Sequence, residues 1–169
     1  MKYILLLTGL LLLTLATSAN AVGGHPTIDL PDDVDIHVEL HLKPTGTHTL
    51  IITNQSGSMF KAADPFQSRG VLSFAVADHY GNVVKPTGIA KADPANRTIN
   101  LPVQKSSVFK FQSLRYLTGT ALFEYQLTPG ETYRVIAIYR PAGLKGPGFS
   151  SKEVMITFPN KKPLLDSAK

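Results

Sequence analysis

Neither cysteine nor tryptophan occurs anywhere in the 169 residues. Without cysteine the chain has no disulfide framework, no thiolate metal ligand, no cysteine nucleophile and no acylated lipoprotein anchor. The familiar catalytic signatures are missing too: there is no G-x-S-x-G elbow, no H-E-x-x-H pair and no glycine-rich phosphate loop opening a helix. Gly143 to Gly148 is glycine-rich, but it lies between two predicted strands and contains Pro147, which makes it a turn. Asp78-His79 falls at a predicted hairpin tip, too exposed to bury the carboxylate that orients a triad histidine. Beyond the first 15 residues no long apolar run remains, and no stretch holds a 3.6-residue apolar period for three turns. These absences predict a protein that is not an enzyme, carries no cofactor and contains almost no helix.

What is present begins with an export signal. Lys2 precedes an uncharged, leucine-rich run from Ile4 to Leu15, and Ala19-Asn20-Ala21 supplies the small-x-small pattern of a cleavage site. That apolar run is 12 residues long, short of the roughly 18 to 20 needed to span a bilayer. Residues 1–21 therefore read as a signal peptide, and no membrane anchor is expected after cleavage. The periplasm or the exterior is the predicted location.

Charge is unevenly distributed over the remaining 148 residues. Asp29, Asp32, Asp33, Asp35 and Glu39 supply five of the twelve acids within eleven residues that contain no Lys or Arg. An acidic arm, residues 22–33, thus precedes a basic body, and residues 29–35 could dock on that body or bridge to a second copy. Net positive charge draws anions in general. An exported chain without an arginine-rich or aromatic-interleaved run is not expected to bind nucleic acid.

The body, residues 34–158, carries the two-residue period of strands. Ile36, Val38, Leu40 and Leu42 alternate with Asp35, His37, Glu39 and His41, and a second strand from Thr47 to Asn54 follows Pro44-Thr45-Gly46. With Gly46 closing a three-residue loop, Lys43 pairs with Thr47, Leu40 faces Leu50 and Val38 faces Ile52. Further strands are predicted at Val71 to Asp78, Asn82 to Lys85, Arg97 to Val103, Ser107 to Gln112, Glu131 to Arg140 and Lys152 to Phe158. Leu114 to Gln126 fits either a strand or a short helical crossover, and residues 159–169 read as a mobile tail. Seven to eight short strands with no helix predict an all-β antiparallel sandwich.

The run Leu127-Thr128-Pro129-Gly130-Glu131-Thr132-Tyr133-Arg134-Val135 resembles the approach to strand F in fibronectin type III and immunoglobulin-like domains. The resemblance implies an immunoglobulin-like β-sandwich in which Pro129 and Gly130 shape the turn and the Tyr133 hydroxyl bonds upstream backbone. A looser likeness joins Ile52-Thr53-Asn54-Gln55-Ser56, Phe74-x-Val76-x-Asp78-x-x-Gly81-x-Val83 and Pro129-Gly130-Glu131-x-Tyr133. This order is similar to the immunoglobulin-like proteinase inhibitor domains of bacteria, from which the chain departs in its export signal and its inserts at 55–70 and 86–97.

In such a sandwich the loops at 55–70, 103–106 and 141–151 would gather at one end. They offer Phe60, Phe66, Leu144 and Phe149 as apolar anchors, with Lys61, Arg69, Lys105, Arg140 and Lys145 as a basic rim. That composition suits a protein partner, acidic or itself a hydrolase. Met59, Phe60 and Phe66 could equally fold back to cap the core. The leading expectation is an exported, non-catalytic binding protein; the alternatives are an inhibitor of an extracytoplasmic hydrolase or protease, and a periplasmic metal-binding protein. The metal reading rests on His37 and His41, which share one strand face with Glu39, the other reading of that face being plain solvation. Asn54-Gln55-Ser56 and Asn96-Arg97-Thr98 match the glycosylation sequon, although chance accounts for both in a Ser/Thr-rich chain.

Gly23-Gly24-His25 would make a square-planar Cu(II) or Ni(II) site if the chain began at Gly23. Cleavage after Ala21 starts it at Val22 instead. The intact mass of the exported protein is expected to correspond to a Val22 start, and a Gly23 start would create that metal site.

Overall fold

The computed structural model describes residues 28–93 and 95–159, and the signal segment, Gly23-Gly24-His25 and nearly all of the predicted tail lie outside the described residues. Those described form strands and turns without helix, and every strand pair is antiparallel. In the first sheet β1 (Ile36–His41), β2 (His48–Asn54) and β7 (Ser106–Phe111) lie in the order β1-β2-β7. The predicted register holds, with Leu40 opposite Leu50 and Val38 opposite Ile52. The connecting turn needs a left-handed residue, supplied by Gly46 at φ +87°.

The second sheet is organised by β10 (Thr132–Tyr139). One edge of β10 pairs along β4 (Leu72–Asp78), and the other pairs in succession with β11 (Phe149–Ser150) and β12 (Val154–Thr157). Between β11 and β12 the chain bulges at Ser151, whose N–H donates to Ala137 O while its Oγ accepts from Ala137 N. Ladder bonding thus continues across a break that twists and blunts an edge strand.

Alternation explains why these two sheets face each other. Val38, Leu40, Leu50 and Ile52 of the first and Phe74, Val76, Tyr133, Val135, Ala137 and Tyr139 of the second point into one shared core, and β1 packs on β10 and β11. Leu50, Ile52 and Val135 are fully buried, each contributing about 1.5–3 kcal/mol through removal of apolar surface from water.

Two smaller sheets complete the molecule. β3 (Phe60–Ala63) pairs with β6 (Thr98–Leu101), and β5 (Thr87–Lys91), β9 (Ala121–Glu124) and β8 (Arg115–Thr118) form a sheet in the order β5-β9-β8. Two expectations change here and one open alternative is decided. The inserts at 55–70 and 86–97 contain β3 and β5 and are not simple loops. Leu114 to Gln126 is a hairpin whose two-residue loop opens on Gly119 at φ +55°. Asn82 to Lys85 is no strand but a single bridge from Val83 to Ala77.

The acidic arm, where described, does lie on the body, held by backbone groups and apolar contacts. Asp33 Oδ2 accepts from Gly57 N at 3.3 Å, Asp35 N donates to Ser56 Oγ at 2.8 Å, and Ile28, Leu30 and Val34 pack on the core.

Polar groups join the layers. Asn54 is completely buried; its Nδ2 donates to Ser58 O and Leu101 O, and its Oδ1 accepts from Ser56 N. With both amide protons used inside the protein, Asn54 is a staple between β2 and β6, not a glycan acceptor. Tyr125 OH donates to Phe74 O at 2.6 Å, and burial pushes its pKa up to about 12.

Replacing Asn54 with Ala strips partners from three backbone groups, two of them buried, and is expected to cost about 2–4 kcal/mol in urea unfolding; a loss below 0.5 kcal/mol would refute the staple. A second prediction concerns His48, which is buried against Phe111 and accepts Lys43 N through Nδ1. Burial lowers its pKa. A depressed folded-state value means that the unfolded chain binds the proton first, so this contribution is whole above about 6.5 and is lost as pH falls toward the lowered value. Urea midpoints measured between pH 7.5 and 5 should show that component in the native chain and not in His48→Phe; identical slopes would contradict it.

Candidate functional site

Three connections meet at the end of β10: residues 64–70, 92–97 (Pro94 outside the described residues) and 140–146. The first is shaped by Asp64-Pro65. Asp64 Oδ1 accepts the N–H groups of Phe66 and Gln67 at 2.9 and 3.0 Å, an aspartate turn that folds the chain back on itself. Ser68 Oγ then donates to Arg97 O at 2.7 Å, and Asn96 N donates to Gln67 O, tying the second connection to the first. The third is tied through Ala63 N to Pro141 O and Arg140 N to Val71 O, both 2.7 Å.

Gly70 shows how closely these connections approach. At φ +67° it takes a conformation that suits glycine, and a Cβ there would stand 2.5 Å from Leu144 Cγ. Leu144 thus lies over Gly70 while keeping 61% of its surface in solvent. Gly70 N also donates to Leu117 O, so the β8-β9 hairpin supports the same end.

Arg69 is the unusual group. Its side chain is only 9% exposed, its Nε is buried without a partner, and its Nη2 lies 3.9 Å from Oδ1 of a fully exposed Asp93. That separation is beyond hydrogen-bonding range. A buried donor left unpaired costs about 1–3 kcal/mol, more on a charged group. The other buried side-chain atom without a partner among the described residues is Asn96 Oδ1, in the adjoining connection. Asn96 also sits at φ +48°, one of two described non-glycine residues with positive φ. Unsatisfied polar groups and left-handed backbone are uncommon in native proteins and concentrate where function holds them.

The residues picked out from the sequence are dispersed. Phe60 belongs to β3 and is buried, Phe66 packs against Phe109 and Phe111, and Phe149 of β11 leans on the core. For Phe60 the core-capping alternative holds and the surface assignment is corrected, while Phe66 and Phe149 are half-buried. Arg69, placed on an exposed rim from sequence, is interior. Arg140 is half-buried, with Nη1 on Ser73 Oγ at 3.2 Å. Leu144 and Lys145 are exposed at the β10 end, and Lys61 and Lys105 are exposed elsewhere: Lys61 pairs with Asn100 across β3-β6, and Lys105 O accepts from Asn54 N. The connection at 103–106 therefore serves the end of β2. Sequence reasoning missed Asp93 and marked Asn96 only as part of a sequon; Asp64-Pro65, a turn signal in the preceding connection, went unused.

Two other clusters are accounted for locally. His37 Nε2 and His41 Nε2 approach the two carboxylate oxygens of Glu39 at 3.3 and 3.2 Å, beside a groove of about 330 Å³ that Lys152 and Val154 also line. His48 lies on the buried face and does not join them, and among the described residues no three His, Cys, Asp or Glu side chains are arranged to hold a metal ion. Asp78 caps its own turn by accepting Tyr80 N, Asn82 N and Asn82 Nδ2. The Asn82 side-chain bond leads in lowering its pKa, and His79 faces Glu131 at 3.6 Å.

No protein-family model matches the chain, and neither does any curated protein or solved structure. Over its described residues the chain is all-β, built of antiparallel sheets with a hydrogen-bonded loop end.

Proposed function

We propose that the protein is an exported, non-catalytic binding protein on an immunoglobulin-like β-sandwich, and that it grips an acidic protein partner with the loop end around Arg69. The observation that carries this reading is the construction of that end. Backbone bonds fasten the three connections to one another and to the residues flanking the first, which carries an incompletely bonded guanidinium, while Leu144, over Gly70, and Lys145 stand outward at the same end. An exposed apolar anchor with cations around it matches the make-up of protein recognition sites, and Arg69, Arg97, Arg140 and Lys145 outnumber Asp64 and Asp93 there.

Two features support the immunoglobulin-like identity. The Tyr133 hydroxyl accepts from Thr128 N at 2.9 Å, the upstream bond that the resemblance implies, and Gly130 turns the chain just before it at φ +89°. The inhibitor reading uses the same end, with the Leu144 turn as the segment entering a hydrolase cleft. Metal carriage has less support, since Glu39 already engages both imidazoles.

A tagged chain purified from its native compartment should bring down a stoichiometric partner, and Leu144→Ala with Lys145→Ala should release it. Retention by the double variant would remove the function from this end. Absence of any partner would overturn the reading of a protein-binding module.

A further inference from the structure

Resting on that reading of the loop end, we propose that Arg69 is a seat for a carboxylate of the partner and that Asp93 occupies the seat loosely while the partner is absent. The Nε and Nη2 protons of a guanidinium leave along the same edge, spaced to meet the two oxygens of one carboxylate. In Arg69 this is the edge left unfinished, with Nε unpaired and Nη2 at 3.9 Å from Asp93.

The two members of the pair are held very differently. Arg69 is packed in place, whereas Asp93 is fully in solvent, so its carboxylate is screened and readily displaced. Nη2 marks the route by which an incoming anion arrives, from the side on which Asp93 stands. A carboxylate that replaces Asp93 meets Nη2 first and completes the fork by pressing in along the same edge to the buried Nε.

Asn96 refines the chemistry. Its unpaired Oδ1 is an acceptor in the connection that also carries Asp93, and a ligand with an N–H next to its carboxylate supplies the missing donor. An acylated amino acid has both groups, whether it is the C-terminal residue of a chain or an acidic side chain beside its own amide. A doubly charged phosphate suits the seat less well, because a single guanidinium fork balances one negative charge, that of a carboxylate.

The test uses the ¹⁵N-labelled full chain and follows the Arg69 Nε–Hε resonance, assigned by its loss in Arg69→Lys. N-acetylglycine is the probe for a C-terminal carboxylate, the α-N-methylamide of N-acetylaspartate is the probe for a side chain, and N-acetylglycinamide is the neutral control. A saturable shift with either carboxylate and none with the control is expected, and the stronger probe identifies the source. Asp93→Asn, a change on an exposed side chain, should tighten the binding by about two- to fivefold, the strength of a surface ion pair. No shift at Arg69, an equal shift with the neutral control, or unchanged affinity in Asp93→Asn would each overturn the seat. A partner captured without any carboxylate response sinks the seat and leaves the binding reading standing. A carboxylate response without a captured partner does the reverse.

Discussion

Tyr139 is the group on which the arrangement of this protein depends. It closes β10, is wholly buried, and donates its hydroxyl to Ala63 O at 2.8 Å. Burial first, and the Asp64 charge second, push its pKa far up, so the hydroxyl remains a donor at every physiological pH. That bond spans 76 positions of sequence and attaches the small β3-β6 sheet to the main core. The loop end is built outward from it: Ala63 N holds Pro141 O, Arg140 N holds Val71 O, and the Asp64 turn starts at the next residue.

A core of two facing sheets leaves connections that must cross its ends, and each crossing has backbone groups to satisfy. At the β2 end the solution is Asn54, whose amide and carbonyl bridge three backbone groups. At the β10 end the connections satisfy one another. Arg69 and Asn96 are the exceptions at that end, a cation drawn inside and an amide oxygen whose hydrogen-bonding capacity is not filled. Rigid surroundings with unfilled valences are the ordinary form of a recognition site, because the ordering cost is met by the fold before a ligand arrives.

Much of this was legible from the sequence where alternation is long enough to read. β1, β2, β4 and β10 run six to eight residues with one face buried, and both the pairing of β1 with β2 and the glycine that turns them follow from pattern alone. β3, β8 and β9 have four residues each, and β5 is exposed throughout, so no two-residue period survives to announce them. The candidate site was harder for a different reason. Whether Phe60, Phe66 and Arg69 point in or out depends on partners 24 to 45 positions away, and nothing local to residues 55–70 encodes those partners. Asn54-Gln55-Ser56 gives the clearest case: the same three letters spell a glycosylation sequon and a buried staple, and only burial separates them.

The central claim is that the end of β10 is a fastened structure and not a set of free loops. Amide hydrogen exchange on the full chain tests it directly, through Ala63, Asp64, Ser68, Gly70, Asn96 and Arg140, each of which donates a backbone bond there. Exchange slowed at these six amides to the range of β10 itself is the predicted result. Exchange at the rate of open, solvent-bonded backbone would contradict the fastening and, with it, a preformed site around Arg69.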